Sequence, residues 1–198
     1  MNLYQKILAA TKAMDGWCEP PKQLALAQLV LAIKPTTVVE IGVWGGKSLF
    51  PMAMACEELK RGICIAIDPW MAEASVQGQE GEDAKWWNNQ HAHDLVYDRF
   101  TKNIEGLNLN GRIVVMRKQS SRAEVPESIQ LLHVDGNHGP QALLDVQKFA
   151  PAIPTGGVCV LDDLHWTGGA VGQAAQWLTT RGFIELYKLG TGAVYFRM

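Results

Sequence analysis

The chain has 198 residues, 47% hydrophobic and 19% charged, the proportions of a globular protein large enough to bury a substantial core. A formal charge of −2 supplies no field that would draw nucleic acid or an anionic membrane, and no apolar run approaches the ~18 residues of a membrane span. One domain over residues 1–198 is expected, in the cytoplasm, because the N-terminus lacks the continuous apolar stretch of a secretion signal. The four cysteines (Cys18, Cys56, Cys64, Cys159) show neither a C-x-x-C pair nor zinc spacing.

Residues 1–35 read as an N-terminal helical segment. It comprises Leu3–Met14 and then Pro20–Ile33, which opens on prolines and continues with helix formers up to Lys34-Pro35. Val38–Ile41 is a β-branched run closed by glycines, hence a buried strand. Ser48–Leu59 reads as a helix if Ser48 is its N-cap, since Pro51 then falls in the first turn and removes no amide bond. Ile63–Ile67 is a second buried strand, ending at Asp68-Pro69. Residues 71–98 break the rhythm: they are polar and aromatic and carry Trp86-Trp87. They are either a surface helix whose tryptophans pack on the core, or a lid beyond the carboxyl ends of the strands, where open α/β sheets bind ligands. Arg112–Met116, Leu131–Asp135 and Val158–Leu161 follow as strands, with helices over Gln141–Phe149 and Ala170–Leu178 and a terminal hairpin of Phe183–Leu189 and Ala193–Arg197. Alternating helices and continuously apolar strands predict an α/β fold, its sheet mostly parallel and covered on both faces, with an antiparallel strand at the C-terminus.

The turn Val39-Glu40-Ile41-Gly42-Val43-Trp44-Gly45-Gly46-Lys47-Ser48 ends like a phosphate-binding P-loop, but Gly42 stands one residue too close to Gly46 for that loop. The dinucleotide fingerprint fails as well, and Lys47 reads as a solvated residue near a helix start. What remains is Glu40-x-Gly42-x-x-Gly45-Gly46 between strand and helix, where glycines admit a ligand close to the backbone and a helix N-terminus offers amides to a carboxylate. Asp68 ends the next strand 22 positions after Gly46 (68 − 46), about the offset at which an acid meets ribose hydroxyls. A ligand with a ribose and a carboxylate but no phosphate chain fits, and S-adenosylmethionine is one.

At these residues the chain resembles the class I S-adenosylmethionine-dependent methyltransferases. The likeness is closest to the metal-dependent group that includes macrocin O-methyltransferase and cephalosporin-hydroxylase-like proteins. "VVEIGVWGGKS", "IAIDPW" and "LLHVDGNHGPQALLDVQKFAPAIPTGGVCVLDD" are similar to that family's motifs in order and separation, from about Val38 to Asp163. The resemblance implies a Rossmann-like, seven-stranded, mostly parallel sheet with helices on both faces. It also implies that Glu40, Gly42, Gly46 and Ser48 line the cofactor, that Asp68 binds the ribose, and that Ser120 and Ser121 fall near the adenine.

Asp135 ends one strand and Asp162-Asp163 the next, so three carboxylates are expected to converge at the carboxyl edge of the sheet. Three such charges need a cation, protons or hydrogen bonds, and oxygen ligands suit a hard divalent ion, magnesium by default. In the resembled family the matching acids bind a metal that also holds the substrate's hydroxyls. The competing reading makes one or two of them helix or turn caps. Asn137 stands where some relatives carry an aspartate proposed as general base, which leaves His138 as the candidate base. His138 could instead be a turn residue that stacks or bonds a carboxylate. His133 reads as a satisfied core histidine and His165 as part of a solvated loop, while His91 and His93 have no evident partner. The preferred function is methyl transfer from S-adenosylmethionine to a small-molecule hydroxyl, assisted by a divalent metal. The rivals are a metal-independent methyltransferase with another acceptor, a non-catalytic domain that binds the cofactor or its demethylated product, and a P-loop phosphotransferase. The N-terminal helices could supply a surface for a homo-oligomer.

Overall fold

A computed structural model describes residues 1–77, 81–166 and 169–198. The sheet has seven strands: β1 (Thr37–Ile41), β2 (Ile63–Ile67), β3 (Ile113–Met116), β4 (Leu131–Val134), β5 (Val158–Leu161), β6 (Phe183–Leu189) and β7 (Gly192–Arg197). Their order is β3-β2-β1-β4-β5-β7-β6, parallel through β5 and antiparallel at β7 and β6. The chain therefore reverses direction across the sheet between β1 and β4, and the crevice outside their carboxyl ends is where open sheets of this kind take ligands.

Each central strand is apolar on both sides because each side is covered. Val38, Cys64, Leu131 and Val160 pack toward α1 (Leu3–Thr11), α2 (Pro20–Ile33) and α3 (Leu49–Glu58). Their chain neighbours Val39, Ile65, Leu132 and Cys159 pack on the opposite face against helices from the second half of the chain. This alternation matters at the strand ends, since consecutive residues there leave on opposite faces. The apolar face of α2 and Ile7 of α1 are buried within the chain.

The described residues of 71–98 hold α4 (Ala72–Ser75), α5 (Gly81–Trp87) and the start of α6 (Gln90–Gly106). Asn89 caps α6 by accepting from the Ala92 amide, and Val96, Phe100 and Ile104 form its buried stripe at helical spacing. The second-half helices are α7 (Pro140–Phe149) and α8 (Ala170–Thr180). Among the described residues no helix is long and apolar enough to cross a membrane.

Candidate functional site

The turn after β1 is built around a carboxylate. Asp68 Oδ2 accepts the Val43 and Trp44 amides, both at 2.9 Å, and Oδ1 accepts the Trp70 amide at 2.7 Å. Three of its lone pairs thus hold the backbone of two adjoining turns, and both tryptophans are held there at positive φ, 48° at Trp44 and 44° at Trp70. Burial raises the Asp68 pKa while those three amides pull it back. Gly42 sits at φ 84°, and a side chain there would meet the Asp135 carbonyl oxygen and the Gly136 Cα at 2.3 Å. At Gly46, φ 81°, it would meet the Phe50 ring at 2.6 Å. The bare faces of both glycines are taken up by the protein's own β4 turn and core, so it is their backbone that is left to meet a ligand.

Glu40 is fully buried, and its Oε1 accepts the Ser48 hydroxyl, while Oε2 has no partner. Ser48 does precede α3, but its hydroxyl goes to Glu40 and makes no cap bond. Burial pushes Glu40 up to about 8, against the opposing pull of Ser48 and Lys22, so the acid is protonated at neutral pH. Lys47 is not free in solvent: its ammonium donates to the Gly16 carbonyl at 3.1 Å and straps the N-terminal segment to the turn. Ser120 is buried in the short 3-10 turn after β3 and its hydroxyl accepts from Gln141, whereas Ser121 is exposed. That turn adjoins a cleft of about 350 Å³ lined by Pro69, Met71, Glu73, Arg117, Lys118, Gln119 and Arg122, next to Asp68.

Strand alternation sends Asp135 and Asp162 to one face and Asp163 to the other, although a ligand atom of Asp163 still lies within 4.8 Å of one on Asp135. Asp135 and Asp162 continue the face of Leu131, His133, Val158 and Val160, toward α2, and both meet Lys22. The Lys22 ammonium is 3.4 Å from Asp135 Oδ2 and in direct contact with Asp162 Oδ2. Asp162 Oδ1 accepts the Asp163 amide and the Thr191 hydroxyl, each at 3.1 Å. Asp163, at φ 48°, turns the other way and lies 2.7 Å from His138 Nε2. The His138 Nδ1 donates to the Gly136 carbonyl at 2.8 Å, and Trp166 meets the ring edge-on at 4.7 Å. Burial lowers the His138 pKa, and the Asp163 carboxylate opposes that shift.

His133 is not the satisfied core residue expected. It is fully buried with neither ring nitrogen hydrogen-bonded, 3.5 Å from Glu40 Oε1 and 3.8 Å from Asp135 Oδ2. Burial and then the Lys22 charge push it down to about 3, so the ring is neutral. His165 is exposed, as expected. His93 does have partners: its Nε2 is 2.9 Å from the Trp87 carbonyl, and Trp44 packs edge-on at 5.0 Å.

Lys22 was missed as a functional residue although a signal existed. It lies one turn before Leu26 and two before Val30, both fully buried, so it sits on the inward face of α2, where an ammonium needs an acid. Trp17 was missed too: with Trp86 and Trp87 it packs around Trp44, at 6.5, 5.6 and 5.1 Å respectively. The tryptophans of residues 71–98 therefore cover the glycine turn, and Asn137 bonds the Gln77 carbonyl from the acid side.

The expected metal set must fit around Lys22, and it does not. A divalent ion held by Asp135 and Asp162 would stand against the ammonium, and both Asp162 oxygens are already engaged. Asp135, His138 and Asp163 do bring one ligand atom each within 4.8 Å of one another, and an ion there would have to displace the Asp163 carboxylate from His138 Nε2.

No curated protein matches the chain. A family described as a methyltransferase domain matches residues 39–164. Among solved structures, the O-methyltransferase NovP is 16% identical with a TM-score of 0.68, over 89% of this chain and 78% of that one. PaMTH1 from Podospora anserina, solved with S-adenosylhomocysteine, is 11% identical with a TM-score of 0.69, over 100% of this chain and 88% of that one. TomG from Streptomyces achromogenes, solved with S-adenosylmethionine, is 12% identical with a TM-score of 0.63, over 100% of this chain and 90% of that one. At these identities the structures speak for the fold, that of the class I methyltransferases, and the family match spans well over half the chain: it belongs to the methyltransferase-domain family.

Proposed function

We propose that the chain transfers the methyl group of S-adenosylmethionine to a hydroxyl of a small molecule, with His138 as general base. The observation that carries this reading is the His138–Asp163 pair beside Asp135, across the switch in chain direction from the Glu40–Asp68 turn. O-methyltransferases among the proteins of similar fold, NovP and TomG, support the choice of acceptor. Glu40, Gly42, Gly46 and Ser48 would line the methionine end of the cofactor, Asp68 the ribose through its remaining lone pair, and Ser120 and Ser121 the adenine.

Nδ1 of His138 is held as a donor by the Gly136 carbonyl, which leaves Nε2 as the basic nitrogen. The acceptor hydroxyl takes the place that Asp163 occupies at Nε2. Its oxygen attacks the methyl carbon in line as the carbon–sulfur bond breaks, the electron pair goes to sulfur, and the proton goes to Nε2. As the methylated oxygen leaves, Asp163 returns to Nε2 and accepts its new N–H, which stabilises the imidazolium. The protein supplies alignment, exclusion of water and the proton acceptor. No step runs through a metal. A divalent ion at Asp135, His138 and Asp163 is the competing reading, favoured by the closeness of their ligand atoms. Calorimetric titration with S-adenosylmethionine, followed by transfer of a labelled methyl group to a panel of hydroxylated acceptors, tests the proposal. It predicts binding, transfer that survives chelation, and a loss of turnover in His138→Gln. Absence of cofactor binding sinks it, and transfer abolished by EDTA selects the metal reading.

A further inference from the structure

An ammonium group buried among carboxylates is costly unless its partners compensate it closely. Lys22 reaches Asp135 and Asp162 from the third residue of α2, on the helix face that Leu26 and Val30 bury. Thr191 closes the far side through its bond to Asp162 Oδ1. Beside Asp135 the His133 ring is sealed from solvent with two unpartnered nitrogens, one of them 3.8 Å from the carboxylate. Two carboxylates, a hydroxyl and a neutral imidazole are the donors that a divalent cation collects. Here a side chain already brings the positive charge.

We infer that Lys22 is a tethered cation: its ammonium occupies the place of a divalent ion between Asp135 and Asp162 and holds the two acids aligned without one. Two carboxylates against one ammonium leave a residual negative charge at the sheet edge. Removing the ammonium leaves both acids uncompensated in a desolvated site, where a doubly charged ion would neutralise them. Lys22 is a positioning residue in this scheme. It acts on Asp135, which shares its surroundings with His138 and Asp163. The inference deepens the reading of the methyl-transfer edge, yet its test needs neither cofactor nor acceptor, so the two fail separately.

The probe is Mn2+, titrated into the full chain and followed by the loss of the free-ion electron paramagnetic resonance signal. Wild type is expected to leave the signal unchanged. Lys22→Ala is expected to bind one ion at least tenfold more tightly than wild type, and Asp135→Asn placed in that background to abolish the gain. Mn2+ should also raise the melting temperature of Lys22→Ala but not of wild type, as a ligand specific to the folded state must. A folded Lys22→Ala that gains no Mn2+ affinity overturns the inference. So does wild-type binding that Asp135→Asn removes, and that measurement decides the matter alone if Lys22→Ala does not fold.

Discussion

The two halves of the sheet's carboxyl edge keep their acids in opposite ways. On the β1–β2 side Asp68 is held by three backbone amides, and Glu40 by a hydroxyl and its own proton. On the β4–β5 side Asp135 and Asp162 are held by the ammonium of Lys22, and Asp163 by the ring of His138. Fixed dipoles belong to the fold and cannot leave without unfolding a turn. Side-chain ions can move aside, exchange protons or be displaced. On the proposed function the difference matches two tasks: a rigid seat for the cofactor, and a reactive side where a proton changes hands.

The strongest way to break this comparison is to remove a dipole-held acid. Asp68→Ala leaves the Val43, Trp44 and Trp70 amides without their acceptor, at about 1–3 kcal/mol for each buried group that water cannot reach. We expect a loss on the order of 3–5 kcal/mol in urea unfolding, together with loss of cofactor binding. A change under 1 kcal/mol would mean the turn holds itself.

The reactive side should answer in rate and scarcely in stability. His138→Gln is expected to lower kcat by about 10²–10⁴-fold, the usual reach of a general base, with little change in the urea midpoint. The base must be neutral, so kcat/KM of wild type should rise with pH and level off. Because burial lowers the His138 pKa, that plateau should arrive below the ordinary imidazole value of ~6.5. A limb above 7 would assign the proton to another group.

Glu40 sharpens the comparison through pH. Its folded pKa is raised from 4.5 to about 8, so between those values the native state keeps a proton that the unfolded chain has lost. Stability attributable to Glu40 therefore falls as pH rises through that window. Glu40→Gln, permanently neutral, should be more stable than wild type at pH 8 by roughly 2–4 kcal/mol, with the gain fading toward pH 4.5. His133 slopes the other way: lowered from 6.5 to about 3, it costs stability as pH falls through that interval. Melting temperatures of wild type and Glu40→Gln across pH 4–9 check both signs.

The dipole-held half was the more legible in sequence. Its parts lie close along the chain, a β-branched run, glycines and an acid one strand later, and the continuously apolar strands carried the fold with them. The ion-paired half depends on contacts that local pattern cannot carry: Lys22 lies 113 residues from Asp135 and 140 from Asp162. One feature there was legible and went unused: strand alternation alone sends Asp162 and Asp163 to opposite faces. What packs against the glycines was hidden for a different reason. Their bare faces are needed by the β4 turn and by Phe50, neighbours that only the folded sheet supplies.

The smallest effect tests the cover that residues 71–98 provide. Trp86 is half exposed and meets Trp44, Trp17 and Trp87 edge-on or tilted at 5.6, 5.6 and 4.7 Å. Such contacts are worth about 0.5–1.5 kcal/mol each beyond burial, but exposure and the small size of α5 keep the global cost of Trp86→Ala near 1 kcal/mol. A residue that merely packs would show that cost and nothing else. A residue that closes the glycine turn over the cofactor would also raise KM for S-adenosylmethionine several-fold while leaving kcat nearly unchanged, since Trp86 packs on Trp44 of the turn after β1. An unchanged KM beside a lowered urea midpoint would return the tryptophan to packing. A fall in kcat instead would show that the two halves of the edge are not as separate as their chemistry suggests.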